Sequence, residues 1–421
     1  MNTDNATQGR GPLAKLSLMM FLQYGIWGAW LPLFYGWLTE YKEFTGQQAG
    51  TLFGVAAIGA LIAPFLAGQI ADRWFATEKF LGISHILGAI LIWFLPDLDS
   101  YQEILIFGLL YSVVYSPTLS LTNSIAFHHI PDRDNDFSRV RVWGTVGWIV
   151  VGIGMGQWLL RHHLPEAGET IRQAHVEGMA DAFRLSAVLG AILGAFCFTL
   201  PHTPPSEGKD AFAAKEALRE IFTNRKLLVL FLVSFPISCV HQFYFVRTEG
   251  FLGSLEMATP MIDSIFGVGG GPMTIGQISE IAVLAMIPFI LRSMSKKSLL
   301  LVGLAAYALR FMIFAYVDSS AIVFPALALH GLCFGCFFFV AFMIVDEETT
   351  TDVRATTQSF YSLIIFGLGV IVGNFFAGYV DSIAGEPTSD SYYASLFGIP
   401  MWIAVASFCA LLFFYPKSQK S

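Results

Sequence analysis

The sequence predicts an all-α integral membrane protein with twelve transmembrane helices in two halves of six. Three observations favour this fold class. Of the 421 residues, 55% are hydrophobic and only 13% are charged. Apolar runs of roughly 18 to 24 residues recur along the chain, the length that an α-helix needs to cross about 30 Å of hydrocarbon. A long polar stretch then divides these runs into two sets of six.

The boundaries of the spans follow from the polar turns between the apolar runs. The predicted spans are 16–38, 48–71, 80–96, 103–127, 141–160, 182–200, 226–247, 273–291, 298–317, 321–345, 355–380 and 391–415. Residues 1–200 therefore form the N-terminal half, residues 201–225 a cytoplasmic linker, and residues 226–421 the C-terminal half.

Lysine and arginine are distributed unequally between the loops. If the N-terminus is cytoplasmic, 18 of the 24 basic residues fall in loops on that side of the membrane. The positive-inside rule then predicts that both termini are cytoplasmic. The net charge of −7 comes mostly from the outer loops, so we expect no nucleic-acid partner.

The sequence shows none of the usual signs of an enzyme. All five cysteines fall inside predicted spans, which argues against a disulfide framework. Cys333 and Cys336 have the spacing of a redox or zinc pair, but without a second ligand pair nearby we interpret them as small apolar side chains. No nucleophile–base pair, metal cluster or phosphate loop is visible. We expect no enzymatic activity, no cofactor and no metal.

The eighth predicted span carries a polar patch. Glu280 is the only acidic residue that we cannot place in a loop or at a helix end, and Gln277 stands three residues earlier. A carboxylate in a bilayer-spanning segment costs about 2.5 kcal/mol or more, so it faces a protein interior or a watery cavity. On a helix the two side chains share one face. We interpret this face as one wall of a central polar site.

The fifth predicted span presents a second polar stripe. Arg141, Thr145 and Trp148 are spaced i, i+4, i+7, so a helix sets a cation, a hydroxyl and an aromatic ring on one side. Such a stripe can bind a polar solute that contains a ring. The alternative for Arg141 is that it marks the cytoplasmic end of the span.

Further polar residues lie in other spans. Gln23 and Gln242 either line a cavity or hydrogen-bond a neighbouring helix. Arg310 lies inside an apolar run and needs a partner, for which we expect backbone carbonyls or a carboxylate in a structural role. In the tenth span His330 is a titratable or hydrogen-bonding group, and Phe334 is a stacking surface one turn away.

Two features relate the halves to a transporter architecture. The charged turn from Gly68 to Lys79 resembles the loop signature of the major facilitator superfamily. Weak internal repeats occupy corresponding places: Pro64 before this turn corresponds to Pro288, and Arg141 to Arg354. Two halves that repeat one another around a midplane site are typical of alternating-access transporters.

Six motifs extend the likeness over nearly the whole chain. They are FLQYGIWGAW, SPTLSLTN, RVWGTVGW, GQISE, LRFMIFAY and RATTQSF. Their order and spacing resemble the bacterial nucleoside:proton symporter family of the major facilitator superfamily. The resemblance implies a carrier in the bacterial inner membrane that imports nucleosides with protons by alternating access, with the lipid bilayer as its environment. We expect this carrier to be a monomer.

The resemblance also implies a site between the two halves. By position, the stripe of the fifth span faces Gln277 and Glu280, with Gln242 and Phe334 completing the pocket and Glu280 coupling the proton. His330 is a further candidate for substrate binding. The full set of candidate residues is Arg141, Thr145, Trp148, Gln242, Gln277, Glu280, His330 and Phe334.

This chain departs from the family pattern at two positions. Similar symporters have an acidic residue where this chain has Gly335, and an asparagine where it has Phe245. Three interpretations are open: the substrate is another polar metabolite such as a sugar or nucleobase, coupling rests on Glu280 alone, or His330 replaces the missing acid. A receptor is an alternative from a different class of protein. No soluble signalling domain is visible in the sequence, which argues against a receptor.

Overall fold

The computed structural model describes most of the chain. The described residues are 10–54, 76–130, 133–166, 170–203, 212–255, 260–268, 270–350, 353–386, 389 and 391–416. Within these ranges all regular secondary structure is helical. Ten helices in the described residues are long and apolar enough to cross a membrane. The predicted all-α membrane fold class is confirmed.

The principal helices are numbered in chain order. The first six are α1 (Arg10–Trp30), α2 (Thr77–Phe94), α3 (Tyr101–His129), α4 (Arg133–His162), α5 (Ile171–Gly178) and α6 (Ala180–Cys197). The next six are α7 (Phe212–Thr223), α8 (Arg225–Ser254), α9 (Pro260–Phe266), α10 (Thr274–Ile290), α11 (Lys296–Tyr316) and α12 (Ser320–Glu348). Then α13 comprises Arg354–Ser362, Leu363–Leu368 and Gly369–Ala384, and α14 is Tyr392–Phe414.

Ten of the predicted spans correspond to long apolar helices, and the other two need comment. The eighth span is α10, which has only 17 residues. The second span is helical at residues 46–54, and the rest of it lies outside the described residues, as does most of the charged turn at 68–79. The predicted linker contains a helix, α7, because its apolar residues recur at helical spacing.

The chain forms two compact units. The described residues of unit 1 fall within the ranges Met1–Phe44, Val55–Gly208 and Ala258–Thr274. Within it α1 packs against α4 and α6, and α2 packs against α3 and α6. Glycines bring α1 and α4 together, since a Cβ on Gly147 would lie 2.1 Å from the Phe21 carbonyl oxygen. In lipid, where apolar surface gains nothing by leaving the solvent, such close backbone approach is what holds helices together.

Unit 2 takes its described residues from Thr45–Gly54, Lys209–Met257 and Ile275–Ser421. Within it α11 packs against α12 and α14, and α8 packs against α13 and α14. Phe243, Phe311, Phe314 and Phe397 form its buried aromatic core, with ring centroids 5.4 to 6.3 Å apart in the contacting pairs. This core fixes α8, α11 and α14 around the polar residues described below.

The close approach of α1 and α4 predicts a difference between two glycines of one helix. Gly147→Ala should lower the free energy of unfolding by about 1–3 kcal/mol, because the new methyl group overpacks the contact with α1. Gly154→Ala is the matched control, since a Cβ there meets nothing within 4 Å. Thermal unfolding of the purified variants in detergent measures both changes. Equal melting temperatures would contradict the packing.

Candidate functional site

The polar residues of unit 2 gather around the guanidinium of Arg310 in α11. Arg310 is fully buried, and its Nη1 donates a hydrogen bond to Nδ1 of His330 at 3.2 Å. Its Cζ lies 4.1 Å from the ring centroid of Tyr244 and 5.3 Å from that of Tyr307. Aromatic faces stabilise a desolvated cation. The hydrogen-bond acceptor is therefore an imidazole, where sequence reasoning expected a backbone carbonyl or a carboxylate.

Glu280 of α10 joins this cluster through His330. Its Oε2 lies 3.7 Å from Nε2 of His330. The imidazole thus stands between a carboxylate on one side and the guanidinium of Arg310 on the other. We call Glu280, His330 and Arg310 the charge row. The structure brings together two residues that the sequence nominated for the site from different spans.

Close packing of α10 on α12 holds Glu280 beside His330. A Cβ on Gly331 would lie 2.4 Å from Oγ of Ser279, and that hydroxyl donates to the Ala328 carbonyl at 2.6 Å. A Cβ on Gly276 would lie 3.0 Å from Cβ of His330. Two glycines on facing helices therefore set the distance between the carboxylate and the imidazole.

A π-helical segment follows directly in α12. Residues Cys333–Phe339 form this segment, which includes Phe334 and Gly335. Insertions of this kind occur frequently at functional sites, because they rotate the side chains that follow. Nothing in the amino-acid pattern indicated it.

His241 of α8 belongs to the site but was not among the predicted residues. Its ring stacks on His330 with centroids 5.1 Å apart, and its Nδ1 is hydrogen-bonded to the Tyr307 hydroxyl at 2.6 Å. Phe334 lies 6.1 Å from the His241 ring, measured between centroids. The signal was visible in the sequence, since His241 directly precedes the nominated Gln242 within an apolar span.

The two glutamines of unit 2 differ in their surroundings. Gln242 donates from Nε2 to Oδ1 of Asn374 at 2.8 Å, which joins α8 to α13. Gln277 is 5% exposed, and its Oε1 has no hydrogen-bond partner among the described residues. A buried acceptor without a donor is unfavourable unless something else supplies one. Gln277 is thus the better candidate to receive a ligand hydrogen bond.

At the two positions where this chain departs from the family pattern, the structure shows close packing in place of polar groups. A Cβ on Gly335 would lie 2.7 Å from Cγ1 of Val283, so this side of α12 packs directly on α10. The ring of Phe245 meets that of His330 edge to face at 5.6 Å. Among the described residues of α12, His330 is the ionisable group that lies against Glu280.

The polar stripe of unit 1 lies on α4. The Arg141 Cζ stands 4.1 Å from the ring centroid of Tyr24, a residue that sequence reasoning missed. Thr145 and Trp148 are both partly exposed. Gln23 donates to Oγ1 of Thr118 at 2.8 Å, so of its two predicted roles the structure shows the hydrogen bond to a neighbouring helix.

The described residues contain no group of three or more histidine, cysteine or acidic side chains that could hold a metal ion. All five cysteines are free, and Cys333 and Cys336 are buried. Their burial agrees with the interpretation of this pair as apolar packing residues.

A bundle of apolar membrane-length helices with a charge row inside it defines a class of protein, a multi-pass membrane transporter. The solved structures agree with this class. A crystal structure of a point mutant of the nucleoside transporter NupG superposes with a TM-score of 0.81 at 25% identity, covering 96% of this chain and 100% of that chain. The protein is therefore a transporter of the major facilitator fold and not an enzyme.

The chain belongs to the nucleoside H⁺ symporter family, whose profile matches residues 12–420. It is 33% identical over 368 residues to the putative nucleoside transporter YegT of Escherichia coli (strain K12), covering 86% of this chain and 82% of that protein. It is 28% identical over 387 residues to the nucleoside permease NupG of the same organism, covering 87% of each chain.

The hydrogen bond between Gln242 and Asn374 predicts energetic coupling between α8 and α13. In a double-mutant cycle of Gln242→Leu and Asn374→Leu, the two changes should show a coupling of about 0.6 kcal/mol, the average for hydrogen bonds between membrane helices, and of no more than about 1.7 kcal/mol. Unfolding in detergent with rising denaturant measures each variant. Strictly additive losses would show that the bond does not join these helices.

Proposed function

We propose that this protein imports nucleosides across the bacterial inner membrane by proton symport, through alternating access. The observation that carries the proposal is a partly buried carboxylate, Glu280, held 3.7 Å from an imidazole in a chain that its family profile matches over residues 12–420. Relatives named as nucleoside carriers support the substrate class.

The residue types suit a neutral solute with a flat base and a hydroxylated ribose. Amide and carboxyl groups bind hydroxyls and base edges, and the unpartnered oxygen of Gln277 needs such a donor. Trp148 and Phe334 offer aromatic faces, and stacking on a base is worth about 1–3 kcal/mol in nucleic-acid complexes. The proposed substrate-binding residues are Arg141, Thr145, Trp148, Gln242, Gln277, Glu280, His330 and Phe334.

Glu280 is the proposed proton-coupling residue. A protonated carboxyl can donate a hydrogen bond to the nucleoside, whereas an ionised carboxylate can only accept. Its two protonation states therefore favour different partners, the substrate in one case and His330 in the other. A ligand that binds one state better shifts the population towards that state, which is the thermodynamic basis of coupling.

The membrane topology is part of the proposal. We place both termini in the cytoplasm because the basic residues concentrate in the loops on that side. We also propose that the protein works as a monomer whose two halves, residues 1–200 and 226–421, are joined by a cytoplasmic linker, residues 201–225, and move to give alternating access to the substrate.

A carrier of another polar metabolite, such as a sugar or nucleobase, is the second candidate. Apolar packing at Gly335 and Phe245 favours it, because both positions lack the polar groups of similar symporters. A smaller or differently hydroxylated solute needs fewer hydrogen-bonding partners.

The proposal predicts concentrative uptake that depends on Glu280. Cells without their own nucleoside carriers should accumulate radiolabelled uridine or adenosine above the external concentration, and a protonophore should abolish the accumulation. Glu280→Gln should only equilibrate the nucleoside, because an amide cannot exchange a proton.

Asp318→Asn is the matched control, since Asp318 is exposed and follows the end of α11. It should leave accumulation unchanged. Full accumulation by Glu280→Gln would remove the coupling role. Absence of nucleoside uptake by a well-expressed wild type would favour the second candidate.

A further inference from the structure

The hydrogen bond between Arg310 and His330 determines where the imidazole carries its proton. A guanidinium has donors but no acceptor, and it stays protonated in proteins. Its contact with Nδ1 of His330 at 3.2 Å therefore needs a lone pair on Nδ1. The N–H of the neutral imidazole must then be on Nε2, the atom that lies 3.7 Å from Oε2 of Glu280.

We propose that Arg310 is a positioning residue for proton coupling: by occupying Nδ1 it holds His330 neutral with its N–H on Nε2, aimed at Glu280. This inference rests on the proposed function and deepens it. A doubly protonated His330 would place an N–H of the ring against an N–H of Arg310, which breaks that hydrogen bond.

In this proposal Glu280 alone carries the transported proton. When Glu280 releases its proton to water on the cytoplasmic side, its carboxylate accepts a hydrogen bond from Nε2–H of His330, and His330 keeps its own proton throughout. The present distance of 3.7 Å is longer than a hydrogen bond, so the contact has to shorten in the ionised state. His330 thus stabilises the carboxylate without carrying the transported proton.

The neighbouring groups are consistent with an uncharged imidazole. Around His330 stand Glu280 from α10, Arg310 from α11, and His241 and Tyr244 from α8. Tyr307 of α11 contacts Arg310 and is hydrogen-bonded to His241. On α12 itself Cys333 follows one turn later.

Arg310 bears a permanent positive charge, and ionised Glu280 bears a negative one. With His330 neutral, the charge row is then neutral overall, which suits its burial among membrane-length helices.

Two amide substitutions of His330 test the roles of its two ring nitrogens separately. The amide of Asn occupies the place of Nδ1, and the amide of Gln reaches the place of Nε2. His330→Gln therefore keeps a donor towards Glu280, whereas His330→Asn keeps an acceptor for Arg310 and loses that donor. We expect proton-driven accumulation of uridine to be about tenfold lower in His330→Asn than in His330→Gln, as for the loss of a hydrogen bond to a charged group.

Counterflow measures the same variants without net proton movement. Vesicles preloaded with unlabelled uridine should take up labelled uridine at similar rates through the two variants, because both lose the same imidazole, and each variant's accumulation is divided by this rate to correct for altered substrate binding. His128→Gln, at an exposed histidine, is the control. Equal accumulation by the two variants, or greater accumulation by His330→Asn, would overturn the inference. No counterflow by the wild type would instead overturn the nucleoside substrate.

A variant of Arg310 tests its positioning role directly. In Arg310→Gln the guanidinium no longer opposes a second proton on His330. An unperturbed imidazole becomes charged below about pH 6.5, and the burial of this ring, which is 1% exposed, still disfavours the charged form. Charged His330 would keep Glu280 ionised, so accumulation should fall on acidification through that range, whereas the wild type should not show this fall. His330→Gln in the same background should abolish it. An unchanged pH profile in Arg310→Gln would contradict the positioning role.

Discussion

The burial of Arg310 is the constraint on which the polar interior of unit 2 depends. A guanidinium at membrane depth is unfavourable by about 2.5–3.5 kcal/mol even on insertion scales, so it must be compensated by its neighbours. Here the compensation comes from the imidazole of His330 and the faces of Tyr244 and Tyr307. Because these groups come from α8, α11 and α12, one cation fixes three helices.

Arg310 also makes the interactions of Glu280 depend on whether the carboxyl group is protonated. Ionised, the carboxylate completes a neutral row with Arg310 across His330; protonated, the carboxyl group can donate a hydrogen bond to a solute. The packing of α10 on α12 through Gly276 and Gly331 holds the two groups within a few ångströms. The substrate therefore binds preferentially to the state in which Glu280 is protonated, and this preference couples substrate transport to proton transport.

The packing around Gly335 bears on the absence of a second acidic residue from this site. Its backbone packs on Val283 of α10, so a carboxylate there would have to displace that contact. His330, five residues earlier, already stands against Glu280. Of the three interpretations that the sequence left open, our proposal adopts the second, in which coupling rests on Glu280 alone, and adds that His330 assists Glu280 without carrying the transported proton.

Local properties of the sequence predicted the fold well, while contacts between helices were harder to predict. Span length and apolarity identified the long helices, and the high energy of a buried carboxylate made Glu280 a candidate for the site. The rotation of each helix about its axis is set by packing, so the pairs Arg141–Tyr24, Arg310–His330 and His241–Tyr307 could not be inferred. The π-helical segment of α12 could not be predicted from the sequence for the same reason.

The proposed linkage between nucleoside binding and protonation of Glu280 is measured most directly by the proton exchange that accompanies binding. Calorimetry of uridine binding to purified protein, repeated in buffers of different ionisation enthalpy, reports the protons taken up. At a pH where Glu280 is ionised, we predict uptake of about one proton per nucleoside by the wild type and none by Glu280→Gln, with binding retained. Equal proton uptake by both proteins would contradict the account.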